Sequence, residues 1–100
     1  MNTEQICFKI ISLAGESFSK MAEALAAAKS KDFKKSEELL EESREVLHKA
    51  HEIHAELLTA EANGNNPEIS VLLVHAQDNL MNTVLAETFF TEMIQIYKDK

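Results

Sequence analysis

PEISVLLVHAQDNLMNTVLAETFFTEMIQIY, residues 67–97, is the stretch that decides the fold. After Pro67 it holds no glycine or proline, and nowhere does it alternate apolar and polar residues as a strand would. Ile69, Leu72, Leu73, Ala76, Leu80, Val84, Phe90, Ile94 and Tyr97 recur at three- and four-residue steps. That spacing predicts one long helix, from Pro67 to about Tyr97, with an apolar stripe for neighbouring helices. A second stripe runs through Val71, Val74, Asp78, Met81 and Leu85 at alternating three- and four-residue steps, an a/d heptad pattern. Phe89, Met93 and Ile96 extend it.

Working outward, Asn63-Gly64-Asn65-Asn66-Pro67 is the clearest loop in the chain. Gly64 suits the end of a preceding helix and Pro67 the first turn of the next. The preceding helix is expected over 32–62, with Asp32 as a simple N-cap. Its apolar stripe is Phe33, Leu39/Leu40, Val46/Leu47, Ala50, Ile53/His54 and Leu57/Leu58. Its outer run of Glu37, Glu38, Glu41, Glu42, Arg44, Glu45 and Lys49 reads as a solvated face. Before the break at Ser30-Lys31-Asp32, a first helix is expected over 3–29, with Thr3 as N-cap and a stripe of Ile6, Ile10, Leu13, Ala14, Phe18, Met21 and Leu25. Gly15 inside it suggests close helix–helix approach. The fold class is therefore all-α: residues 1–100 form one domain, an antiparallel up-down-up three-helix bundle.

Such a bundle explains one stripe on the third helix, not two. Either the second stripe mediates self-association, or the first helix wraps around to cover it; the pattern favours self-association. Asp78 would then lie on the seam, where a carboxylate is costly unless it is paired, shares a proton, binds a cation or sets the register. Hard oxygen ligands of this kind suit Mg²⁺. His75, one turn earlier, would border a cleft between subunits.

Composition narrows the function classes. The formal net charge of -7 argues against nucleic acid or an anionic membrane as partner. The start MNTEQICFKI lacks the basic and apolar regions of a signal peptide, and no apolar run is long enough to span a membrane. A single cysteine, Cys7, cannot form an internal disulfide, and a cytoplasmic location is expected. His48, His51 and His54 stand three apart, one residue short of the four-residue step of a zincin helix, so a zinc site there is the weaker reading. No phosphate-binding glycine loop or nucleophile elbow is present.

Leu72-Leu73-Val74-His75-Ala76-Gln77-Asp78-Asn79-Leu80-Met81 resembles the signature of the lactose/cellobiose-type enzyme IIA component of the bacterial sugar phosphotransferase system. Ala14-Gly15, Lys31-Asp32-Phe33, Ala50-His51 and Glu61-Ala62-Asn63-Gly64 are similar to its pattern as well, so the resemblance covers nearly the whole chain. It implies a homotrimer and a phosphoryl group accepted by His75 from the phosphocarrier protein HPr. It implies transfer onward to the IIB component, with the membrane-embedded IIC component acting later. It implies that Asp78 meets its symmetry mates around a divalent metal, Mg²⁺ by chemistry, on the threefold axis. Gln77, Asn79 and His54 are the candidates for the phosphate pocket. The commoner family run is HAQDHLM, so Asn79 replaces a second histidine. His54 stands where the family often has glutamine, and Ser30 near a usual glycine. The alternative to a phosphocarrier is a non-catalytic helical oligomerisation or regulatory module.

Overall fold

The computed structural model describes all of residues 1–100 as three helices, α1 (Thr3–Lys29), α2 (Phe33–Ala62) and α3 (Val71–Lys98), in a rod of 52 × 21 × 18 Å. It has no strands. The first two helices fall where the sequence puts them, because their ends are chemically marked. At the start of α1 the cap is Asn2 rather than Thr3. Its side chain accepts from the Gln5 N–H while the Gln5 side chain accepts from the Asn2 N–H, closing a reciprocal capping box. Asp32 caps α2 by accepting from the Lys35 N–H at 3.2 Å.

Both helix–helix turns end in Schellman motifs. In the first, the Lys31 N–H donates to Ala28 O and the Asp32 N–H to Ala27 O. In the second, Gly64 donates to Glu61 O and Asn65 to Ala60 O. The motif needs one left-handed residue. Gly64 supplies it in the second turn with φ of 85°, and in the first turn Lys31 adopts it with φ of 64° although it carries a Cβ.

The third helix starts later than expected. Pro67 to Ile69 stay outside it, and Ser70 is the N-cap, its hydroxyl accepting from the Leu73 N–H at 3.1 Å. Pro67 is therefore not in the first turn, and Ile69, placed on the inner stripe by periodicity, is 83% exposed.

The core is built around α1, which packs along both of the other helices; α2 and α3 touch far less. Ile10, Met21 and Leu80 are fully enclosed. Ala14, Ser17, Ala24 and Ala28 of α1 and Ser36, Ser43 and Ala50 of α2 are also buried, small residues that permit close helix approach. The Ser17 hydroxyl donates to Ser43 O at 2.8 Å, which satisfies it across that contact. Phe18 and Phe90 join α1 to α3 edge-to-face at 5.5 Å. Cys7 is buried, and burial pushes its thiol up, away from the thiolate a nucleophile needs.

Between α2 and α3 the links are polar struts. Arg44 reaches Glu87 at 2.8 Å and Thr91 at 3.3 Å, Lys98 reaches Glu37 and His54 reaches Gln77. The charged outer run of α2 is thus more than a solvated face, since three of its members hold neighbouring helices. Gly15 does not serve close approach. A Cβ built on it meets nothing within 4 Å, because this side of α1 borders an open groove.

Candidate functional site

Ser70 sets the phase of α3, and from it the two faces follow. Leu73, Ala76, Leu80, Thr83 and Ile94 turn inward and are buried. The second stripe is left bare: Val71 is 87% exposed, Val74 56%, Met81 47% and Leu85 58%. Phe89, Met93 and Ile96 continue it, all exposed. The first helix therefore does not cover the seam. An apolar strip of this length on a small domain marks an interaction surface.

Asp78 is exposed in the middle of this strip and takes part in no ion pair within the chain. His75 is exposed one turn before it. At about 100° per residue, His75 lies about 60° around the helix from Asp78, on one flank of the strip, and Gln77 lies about 100° away on the other flank. The structure accordingly separates the pocket candidates. Asn79 Nδ2 lies 3.2 Å from His75 Nε2. Gln77 instead faces α2, where its Oε1 accepts from His54 Nε2 at 3.1 Å. Within one chain, then, Asn79 joins His75, while His54 and Gln77 form a separate pair.

Asn79 also lines the open groove of about 480 Å³ between α1 and α3, together with Ile11, Ala14, Gly15, Phe18 and Asn82. Gly15, with no Cβ, leaves that groove open on the α1 side, across from Asn79. Thr83, which the periodic reading passed over, is buried and donates its hydroxyl to Asn79 O at 2.7 Å. Its signal was in the sequence, since a threonine four residues after a helical position bonds back to that carbonyl.

No set of three or more His, Cys, Asp or Glu side chains within the chain could hold a metal ion. His48, His51 and His54 are not gathered into such a set: His48 pairs with Glu52 at 2.8 Å, and His54 is engaged by Gln77. Between Val71 and Leu85 a single chain offers one carboxylate, Asp78, on the bare strip. Copies meeting along that strip would supply several carboxylate oxygens, a donor set that fits a hard divalent cation. No helix is long and apolar enough to cross a membrane.

Residues 5–98 match the family described as PTS system, Lactose/Cellobiose specific IIA subunit. The lactose-specific EIIA component of Staphylococcus epidermidis is 41% identical over 91 residues, covering 91% of this chain and 88% of that protein. The lichenan-specific enzyme IIA component of Bacillus subtilis is 42% identical over 95 residues, covering 95% and 86%. Among solved structures, the cellobiose-specific enzyme IIA of Bacillus anthracis superposes with a TM-score of 0.94 at 39% identity, covering 99% of this chain and 92% of that one. The chitobiose IIA of Escherichia coli, solved in complex with HPr, superposes with a TM-score of 0.86 at 30% identity, covering 99% and 96%. A three-helix chain with an exposed histidine beside a bare heptad strip thus meets the family at the level of sequence and fold together, and it belongs to the lactose/cellobiose-specific IIA subunits, the phosphoryl-carrying enzyme IIA components of the sugar phosphotransferase system.

Proposed function

We propose that His75 accepts a phosphoryl group from HPr and passes it to a IIB component, serving uptake of a disaccharide through a membrane IIC component. The observation that carries this reading is the setting of His75. Its imidazole is exposed, hydrogen-bonded within the chain to the Asn79 amide, and stands on the flank of an uncovered strip. A neutral imidazole is nucleophilic at physiological pH. Its lone pair forms the new N–P bond while the donor's N–P bond breaks and returns its electron pair to the donor nitrogen. Each ring keeps the proton on its far nitrogen through the exchange, so no proton relay is needed. Such a transfer depends on positioning and charge stabilisation. The Escherichia coli relative in complex with HPr supports the choice of donor.

The same reading extends to assembly. We infer a homotrimer joined along Val71, Val74, Asp78, Met81 and Leu85. In a cyclic assembly, one flank of each strip meets the opposite flank of its neighbour. His75 of one copy would then face the Gln77 side of the next, which brings the Gln77–His54 pair to the phosphoryl group from across the interface. Three Asp78 carboxylates would converge on the axis, and Mg²⁺ held there would offset their repulsion without entering the transfer. The location is the cytoplasm, where HPr operates.

The experiment is labelling by radioactive phosphoenolpyruvate in the presence of enzyme I and HPr. The wild-type chain takes up acid-labile phosphate and His75→Ala takes up none. Equal labelling of the variant would sink the assignment of His75.

A further inference from the structure

Asn79 is the side chain that touches the reacting imidazole, with Nδ2 3.2 Å from His75 Nε2. An amide nitrogen has hydrogens and no lone pair to offer, so at this contact Asn79 donates and Nε2 accepts. A neutral imidazole that accepts at Nε2 carries its proton on Nδ1. We propose that Asn79 is a positioning residue that holds His75 in the Nδ1–H tautomer, so that the nucleophilic lone pair sits on Nε2. The proposal rests on the phosphocarrier reading above and says how that histidine is prepared.

Three features of the structure support it. The two residues are four apart on α3, the spacing at which helical side chains meet. Thr83 donates to Asn79 O at 2.7 Å and is itself buried, which ties this turn of the helix to the core. Nε2 is the far corner of the exposed ring, whereas Nδ1 lies next to Cβ, so a phosphoryl group carried on another protein reaches Nε2 more readily. The bond is weak enough to release the lone pair when the donor arrives. Once the N–P bond has formed, the same N–H faces phosphoryl oxygens, which accept in place of the lost lone pair. A free histidine favours the opposite, Nε2–H, tautomer, so the contact has a definite bias to overcome and its removal has a definite direction.

The test uses the full chain labelled with ¹⁵N-histidine and long-range ¹H–¹⁵N correlation above the imidazole titration, with His75→Ala to assign the signals. Wild type shows a pyridine-type Nε2 and a pyrrole-type Nδ1. Asn79→Ala lowers the Nδ1–H to Nε2–H ratio about five- to tenfold, the effect of one hydrogen bond and enough to restore the free ring's preference. Asn79→Asp, which only accepts, reverses the pattern to a pyrrole-type Nε2. Transfer from phosphorylated HPr slows in the same order, while circular dichroism stays unchanged. A pyrrole-type Nε2 in wild type, or one tautomer ratio in all three proteins, would overturn the role of Asn79. Absence of any phosphate uptake by wild type would instead overturn the phosphocarrier reading itself, so the two failures are distinguishable.

Discussion

Leu85→Glu is the perturbation that separates a bare strip from a docking seam. Leu85 is 58% exposed in the single chain, and Leu58 on α2 is 55% exposed, so the two leucines offer the same chemistry at the same accessibility. Only Leu85 lies on the heptad line. Burying a leucine completely is worth about 1.5–3 kcal/mol, so covering the remaining half or more of Leu85 gives about 1–2 kcal/mol per copy. Three copies together lose about 3–5 kcal/mol when the side chain is replaced. Three glutamates brought into an apolar seam add a desolvation cost of about 2 kcal/mol or more. A total above about 5 kcal/mol is more than a thousandfold in the assembly constant. Sedimentation velocity at micromolar protein should therefore show wild type and Leu58→Glu as trimers and Leu85→Glu as a monomer. Circular dichroism should show all three fully helical, because Leu85 contributes nothing to the enclosed core. An unchanged sedimentation coefficient for Leu85→Glu, or equal dissociation of Leu58→Glu, would refute the placement of the seam on α3.

Three further outcomes follow from particular residues. Lys31 holds a left-handed φ of 64°, which costs an L residue roughly 1–2 kcal/mol; after the extra chain entropy of glycine, Lys31→Gly should stabilise by about 0.5–1 kcal/mol, visible as a higher thermal midpoint. Asp78→Leu should leave the subunit folded, strengthen the assembly and remove any effect of a chelator on it, since like charges are exchanged for apolar contact; loss of helicity would place Asp78 inside the subunit instead. The Lys98 ammonium, bonded to Glu37, holds that carboxyl below its ordinary value of 4.5, so the pair contributes stability above pH 4.5 that is lost as pH falls through the depressed value. The midpoint of Lys98→Ala should thus lie below wild type at pH 7 and converge with it in acid, and a constant gap across that range would contradict the linkage.

What could be read in the sequence followed local chemistry. Asp32 and Gly64 mark helix ends by forming the cap and the turn themselves, so α1 and α2 ended where expected. Ser70 carried the same information, a hydroxyl immediately before an apolar run, but Pro67 stood in the other favoured starting position and drew the boundary four residues early. Gly15 misled for a different reason. Periodicity shows that a residue lies beside an apolar stripe, not whether a neighbour fills the space, and here the space is a groove. Contacts between distant residues were not legible at all: Arg44 with Glu87 and His54 with Gln77 depend on how far α2 and α3 diverge. The contact between His75 and Asn79 was within reach of the sequence, because a four-residue step on one helix needs no tertiary fold.

The divergence of α2 from α3 explains why the site lies at an edge. In a bundle with three equal contacts, each helix would show two flanking neighbours, and a histidine on a flank would be covered. Here α1 takes most of the packing from both sides. The third helix therefore has one wide face free, and apolar residues on that face remain bare until another molecule arrives. His75 and Gln77, two residues apart, occupy opposite borders of the free face. Neither border alone makes a pocket: one offers a nucleophile with an amide beside it, the other an amide braced by His54. The proposed cyclic assembly would join the two borders at every interface with no change in the fold of the subunit. On the proposed trimer, the same bare strip would bring the missing half of the site, and a carrier built this way would keep its histidine accessible to protein donors approaching from outside.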